Sequence, residues 1–499
     1  MNLSNLDLIV FLLYILGTIG FGLSFYFRQH TTADYTTGSG KLPSWVLGMS
    51  IFATYVSSIS FLALPGAAYL SNWNGFVFSL SIPLAAWIAV RYFVPLYRRI
   101  NSPSAYAFLE QRFGLWARIY ASICYLLTQL ARMGAILYLL ALPMEAFFGW
   151  SIPMVISVTG LVVICYAMLG GIKAVVWTDA IQGMVLILGA LGCFFTILYQ
   201  IPEGWTQVQR IAVEQNKFSL GSLDINLHES TFWVVLVYGL FINLQNFGVD
   251  QSYIQRYLGA KTELEAKKSI WLGSLLYIPI SMLFFLIGTS LFVYYQVFDG
   301  LLPLELESVE SSDKVFPFFI VSALPRGLTG LMIAAIFAAG MSTLSTSINS
   351  SATVILEDHF KKYILKETNE KTCFQVLYIS SFLMGVLSIG VGLAFNGVNS
   401  ALEAWWALAS VFSGGVLGLF LLGNYRPSVS KFPALIGVFI GVLVIAFISL
   451  GEYLEVFGLK KLTIHNNLAI VLGTMAIFLV GFFIGLMVRG PKGFQGNYQ

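Results

Sequence analysis

Apolar residues along this chain run in long, nearly unbroken stretches, parted by short polar loops. A helix that crosses a bilayer needs about 20 consecutive apolar residues. Thirteen stretches meet that length: roughly 6–27, 43–69, 73–97, 118–146, 152–170, 175–200, 231–250, 269–296, 326–352, 374–395, 400–424, 432–452 and 466–488. A shorter apolar stretch, 315–324, precedes the ninth and reads as an interfacial helix. The pattern predicts an all-α polytopic membrane protein of about 13 transmembrane helices, placed in the cell (inner or plasma) membrane. The opening MNLSNLDLIVFLL lacks the basic start of a signal peptide and reads as the first span.

Composition agrees. Of the 499 residues, 58% are hydrophobic and only 10% charged, against about 25% charged in a soluble protein. The net charge of +3 is too small to argue for a nucleic-acid partner. The distribution of the 27 cations is more informative. Twenty fall in the loops of one side, counting residues 28–42 as its first segment. Six fall on the other: Arg210, Lys217, Lys314, Arg326, Lys460 and Lys461. Arg132 lies within a span. Cytoplasmic loops carry the excess of Lys and Arg, so the N-terminus is expected outside and the C-terminus inside. The acidic outside loop 297–313 fits this orientation. Four scattered cysteines show neither metal spacing nor a disulfide framework.

Candidate chemistry lies in polar residues inside the apolar stretches. In the ninth, 341–350 reads MSTLSTSINS, with six hydroxyls in ten residues and five between 342 and 347. One or two could bond back to their own helix. Five in six positions point to another helix, a cavity or an ion, because hydrocarbon offers them no water. Hard cations stripped of water prefer oxygen ligands of this kind.

The second stretch reads SIFATYVSSISF over 50–61, followed by Leu-Ala-Leu-Pro-Gly. It is either a serine-rich packing face with a proline kink, or a broken helix whose freed carbonyls bind a cation. The seventh holds Asn243, Gln245 and Asn246, which either join helices or line a polar cavity. Asp179, in GGIKAVVWTDAIQG (170–183), is either an interfacial carboxylate favoured by the helix dipole or a cation ligand beside the hydroxyls. Arg132, in LTQLARMGAI (127–136), is too deep to reach either interface, at a cost of about 2.5–3.5 kcal/mol on insertion scales. It needs an anion. Glu145 is about three turns away on the same helix. Arg132 therefore either bonds the carbonyls of a neighbouring helix or awaits a substrate carboxylate in bidentate geometry.

These segments, with QSYIQRY (251–257) and AAIFAAGMSTLSTSINS (334–350), resemble the sodium:solute symporter family over roughly residues 7–425. The resemblance implies the leucine-transporter fold. Two inverted five-helix repeats, 43–200 and 231–425, would have broken second and seventh helices. One extra N-terminal helix (6–27) and two C-terminal ones (432–488) would flank them, as in the family's sialic acid branch. It implies a first sodium site on the carbonyls of Ala53, Val56 and Ala339 and the hydroxyls of Ser342 and Thr343. A second would use Asp179, Ser342, Thr343, Ser345 and Thr346. The sialic acid branch maps substrate contacts onto Ser57, Ser60, Arg132 and Asn243. Tyr55 and Ser79 replace residues of that branch and change the pocket. The galactose branch uses positions that are Ser60, Ser79 and Tyr277 here, so a close copy of that site is excluded.

The expected activity is sodium-coupled symport of a small polar solute, not catalysis. The cargo expected is an acidic monosaccharide such as sialic acid, carried with two sodium ions by alternating access. A neutral sugar (glucose- or galactose-like) or another small organic solute is the alternative. A sodium-responsive receptor or channel would need a sensor segment, and only about ten residues follow residue 488. No cofactor is expected beyond Na+ as coupling ion, and no partners beyond substrate, sodium and the lipid bilayer. The chain is expected to work as a monomer.

Overall fold

The computed structural model describes residues 4–28, 31–306, 312–364, 369–396, 408–409, 415–426, 429–450 and 464–488. The described residues are helical apart from turns, loops and one isolated bridge, Leu42 to Ala260. Among the described residues, ten helices are long and apolar enough to cross a membrane, and a bent pair brings the number to eleven. The expected stretch 400–424 is described mainly at Val416–Tyr425; the rest of it lies outside the described residues.

In chain order the elements that matter are α1 (Asn5–Leu23), α2 (Ser44–Tyr55), α3 (Ser58–Leu70), α4 (Trp73–Ile100), α5 (Leu115–Phe148), α6 (Ile152–Gln200), α7 (Phe232–Val249), α8 (Gln251–Gly259), α9 (Glu263–Val297), α10 (Ser312–Ser322), α11 (Leu328–Val354) and α12 (Glu370–Ala394). Two apolar stretches read as separate spans, 152–170 and 175–200, are run together as α6. They are parted at Gly171, whose φ of 55° and ψ of −162° leave helical geometry. Glycine supplies that conformation without a Cβ penalty. The interfacial helix expected at 315–324 is α10.

Helix α11 is the hub. Of its most apolar window 94% is buried, against 17% for α1. A helix so enclosed can carry hydroxyls without facing lipid. Its N-terminus is held by α1: the Asp7 carboxylate accepts from the backbone N–H of Gly327 at 2.7 Å and of Gly330 at 2.8 Å. A carboxylate there satisfies orphan donors and complements the helix dipole. Asp7→Ala is expected to lower stability by about 0.5–2 kcal/mol, read as a fall in the melting temperature of the detergent-purified protein.

Two of the twenty cations assigned to loops of one side are buried instead. Arg118 is 5% exposed, held by Glu110 at 2.6 Å and by Asp358. Arg256 is fully buried. On the opposite side Lys217 is buried as well. Its Nζ donates to the Tyr69 carbonyl at 2.6 Å, at the C-terminal end of α3, and lies 3.7 Å from the Phe292 ring centre. Burial pushes this amine down to about 8. Counting loop cations by side says nothing of their burial, because nothing local marks a cation that folds inward.

Candidate functional site

The break between α2 and α3 creates the site. Helix α2 ends at Tyr55, Val56 turns to φ −80° and ψ 90°, and Ser57 starts α3 by accepting from the Ser60 N–H at 3.4 Å. The two helices meet at 54°. Pro65 sits about two turns beyond, inside α3, so the proline is not where the chain breaks. The Ser57 N–H bonds the Tyr55 carbonyl at 3.1 Å rather than the Ala53 carbonyl a helix would offer it. Ala53 is thereby freed, and its oxygen accepts from the Ser342 hydroxyl of α11 at 2.8 Å. Helix α9 backs the break closely: a Cβ on Gly288 would lie 2.1 Å from the Pro65 carbonyl.

Of the residues expected to form a first cation site, Ala53, Ala339, Ser342 and Thr343 are joined by direct bonds. Ser342 Oγ lies 3.3 Å and Thr343 Oγ1 3.2 Å from the Ala339 carbonyl. Val56, at the end of α2, directs its carbonyl out of the helical path. All are buried.

Of the second expected set, Asp179 and Thr346 meet directly, while Ser342, Thr343 and Ser345 bond the Ala53 carbonyl or carbonyls of their own helix. Asp179 is fully buried rather than interfacial. Its Oδ2 accepts from the Thr346 hydroxyl at 3.3 Å and from the Ser50 hydroxyl at 2.6 Å. Ser345 donates to the Ser342 carbonyl at 3.1 Å. Between these groups lies the guanidinium of Arg256, donating to Asp179 Oδ2 at 2.9 Å, Thr346 at 2.7 Å, Thr54 at 2.8 Å and Ser50 at 2.7 Å. Sequence reasoning found Asp179 and Thr346 but not Ser50, Thr54 or Arg256. QSYIQRY carried the signal: Arg256 follows the end of α7 by only seven residues, on the short α8 that folds inward. Asp179 Oδ1 is buried and has no hydrogen-bond partner among the described residues. That oxygen is a donor atom open to a cation.

Several of the residues proposed from sequence for substrate are bonded to one another or to neighbouring helices. The Tyr55 hydroxyl donates to Asn243 Oδ1, and Asn243 Nδ2 donates to Ser81 at 2.9 Å. Ser79 donates to Ser281 at 2.9 Å. Ser60 faces the Tyr277 hydroxyl. The Tyr55 ring stacks on Phe247 with centres 5.6 Å apart, and meets Tyr277 at 4.5 Å and Tyr253 at 6.3 Å edge-on. Phe247, Tyr253, Ser81 and Ser281 were missed by sequence reasoning, since isolated aromatics and serines in apolar stretches read as packing. Helix α7 runs unbroken through its carboxamides. The interruption comes after Val249, where Asp250 takes φ −77° and ψ 121° and caps α8.

Arg132 on α5 is half-buried. It donates to the Thr54 carbonyl at 3.5 Å, the limit of such a bond, and faces the Tyr253 hydroxyl. Among the described residues no carboxylate lies within salt-bridge distance of it. A further charge, the half-buried Asp250, is close enough to Arg132 and Arg256 to interact electrostatically with both.

The model of the family described as sodium:solute symporters matches residues 35–441. This chain belongs to the sodium:solute symporter family. As a member it is a multi-pass membrane transporter coupled to sodium, not an enzyme. Two relatives are the sodium/sialic acid symporter NanT of Aliivibrio fischeri, 30% identical over 98% of this symporter and 94% of that protein, and the sodium/sialic acid symporter SiaT of Proteus mirabilis, 30% identical over 94% and 92%. A solved structure of a Na+-coupled sialic acid symporter, substrate-bound and outward-open, matches with a TM-score of 0.90 at 27% identity. It covers 99% of this symporter and all of that chain.

Proposed function

We propose that this symporter imports an acidic monosaccharide such as sialic acid together with two sodium ions, by alternating access. The observation that carries the cargo is Arg132: a half-buried guanidinium beside the helix break with no carboxylate in ion-pair contact among the described residues. Such a group suits the bidentate geometry of a substrate carboxylate. The named specificity of the two relatives supports the same cargo. Ser57, Ser60 and Asn243 would hold the sugar's polar groups, with the Tyr55 ring beside them and Ser79 behind.

The first sodium would take the carbonyls of Ala53, Val56 and Ala339 and the hydroxyls of Ser342 and Thr343, pinning α2 to α11. The second would take Asp179 with Ser345 and Thr346, sharing Ser342 and Thr343. Sodium shifts the equilibrium only so far as it binds the outward state better. Two sodium ions with one monoanion move a net positive charge, worth about 2.3 kcal/mol per 100 mV. One sodium with a monoanion would forgo that voltage term.

The arrangement of 43–200 and 231–425 as inverted five-helix repeats, thirteen spans in all, and an outside N-terminus belong to this reading. All named groups lie in one chain, so a monomer suffices. A neutral cargo has one observation in its favour, the Asp250 carboxylate that partly compensates Arg132.

The test is uptake of labelled sialic acid into proteoliposomes. It is expected to require an inward sodium gradient, with a sodium Hill coefficient above one. Uptake without sodium, or of neutral sugars alone, would sink the reading. Tyr55→Phe supplies a second check. Its hydroxyl occupies Asn243 and must be displaced by a sugar that uses that amide. Removing a hydrogen bond of about 0.5–1.5 kcal/mol is expected to tighten sugar binding by about two- to tenfold in titration calorimetry. Weaker binding would make the hydroxyl itself a substrate contact.

A further inference from the structure

Four charged side chains are linked by shared partners from the candidate substrate site to the candidate second sodium site: Arg132 and Arg256 both donate to Thr54, Asp250 is held by Gln129 of the Arg132 helix and by Ser252, and Arg256 donates to the Ser252 carbonyl and to Asp179. Asp250 Oδ1 accepts from the Ser252 N–H at 2.8 Å and from the Ser252 hydroxyl. Its Oδ2 accepts from Gln129 Nε2 at 3.4 Å, and Gln129 is fixed in turn by Ser347 of α11 at 2.6 Å. The Tyr253 hydroxyl sits in the field of Arg132, Asp250 and Arg256 together. Thr54 joins the two ends, its carbonyl 3.5 Å from Arg132 and its hydroxyl 2.8 Å from Arg256. The four formal charges cancel, two positive against two negative. Each cation has a hold that can change. Arg132 lacks an ion-pair contact among the described residues, and Arg256 is bound to Asp179 by a single carboxylate oxygen, leaving the other unpartnered.

We propose that Asp250 and Arg256 form a charge relay that couples the acidic substrate to the second sodium ion. An anion arriving at Arg132 takes over the neutralisation that Asp250 provided. The carboxylate of Asp250 is then free to compensate Arg256. Arg256, better held from that side, loosens from Asp179, whose two oxygens turn to sodium. Run backwards, sodium at Asp179 pushes Arg256 toward Asp250 and leaves Arg132 uncompensated for the substrate. Linkage requires the two directions to be equal in free energy. No bond is made or broken; one anion and one cation enter a neutral network and leave it neutral. This inference rests on the proposed acidic cargo and second sodium.

The experiment measures binding of N-acetylneuraminate to the purified full chain, over a sodium series balanced with choline. In the wild type the apparent Kd is expected to fall about a hundredfold per tenfold rise in sodium, the second power of two linked ions. In Asp250→Asn and in Arg256→Gln it is expected to fall only about tenfold, because just the first sodium stays linked. Sugar binding at saturating sodium persists in Asp250→Asn. Arg256→Gln binds sodium alone more tightly than the wild type. Asp250→Glu restores the second power. Second-power dependence surviving in both neutral variants would overturn the relay, as would its loss in Asp250→Glu, which would mark a structural role. Should one neutral variant fail to fold, the other decides. A wild type that shows no second-power dependence or does not bind the acidic sugar would instead defeat the functional reading itself.

Discussion

Asp179→Ala is expected to destabilise this symporter by about 3–5 kcal/mol, the cost of leaving a buried cation without its partner. The cation is Arg256, fully buried and 2.9 Å from the carboxylate. Its remaining bonds, to Ser50, Thr54, Thr346 and the Ser252 carbonyl, are to neutral oxygens that offer dipoles but no compensating charge. The measurement is the melting temperature of the purified protein in sodium and in choline. Thr346→Ala separates sodium binding from this structural cost, because it removes an oxygen ligand without exposing a charge. It is expected to lower the sodium Hill coefficient toward one at nearly wild-type stability, while Ser342→Ala, which touches both proposed sites, abolishes transport. Unchanged cooperativity in Thr346→Ala and unchanged stability in Asp179→Ala would together remove the second site.

Arg132→Ala is expected to abolish measurable binding of carboxylated sugars. Truncating one side of a desolvated, hydrogen-bonded charge pair costs about 2–5 kcal/mol, at least some thirtyfold in Kd. Arg132→Lys is expected to recover only part of that loss, since an ammonium cannot present two parallel donors to a carboxylate. The same titration with a neutral hexose separates the alternatives. If Arg132→Ala leaves hexose binding intact and the wild type never binds sialic acid, Arg132 serves the fold and the cargo is neutral.

The two polar segments that meet at the helix break were legible from residue type and spacing. The hydroxyls at 342–347 are too many to satisfy on their own helix, and SIFATYVSSISF announces a segment that does not run as one helix. Both features are local, and the structure places them against each other, Ser342 on the Ala53 carbonyl and Thr346 beside Thr54. The partners of the two isolated charges were not legible. Asp250 and Arg256 flank the end of an apolar stretch, where a sequence reading assigns charges to a loop. Whether such a residue faces water or turns inward depends on how α8 docks beneath α11, and no local pattern encodes that docking. The sharing of Asn243 with Tyr55 is hidden in the same way, because the two residues are 188 positions apart.

The sequence by itself determined the class: a chain whose apolar stretches must lie in lipid, with oxygen-rich positions that hydrocarbon cannot satisfy. The tertiary structure decided how charge is distributed inside. It set Arg256 on the carboxylate expected for sodium and tied Asp250 to Gln129 and Ser252, beside both arginine-bearing helices. The reason is that a buried charge is governed by whatever surrounds it in space, and in a helical bundle those neighbours come from distant parts of the chain.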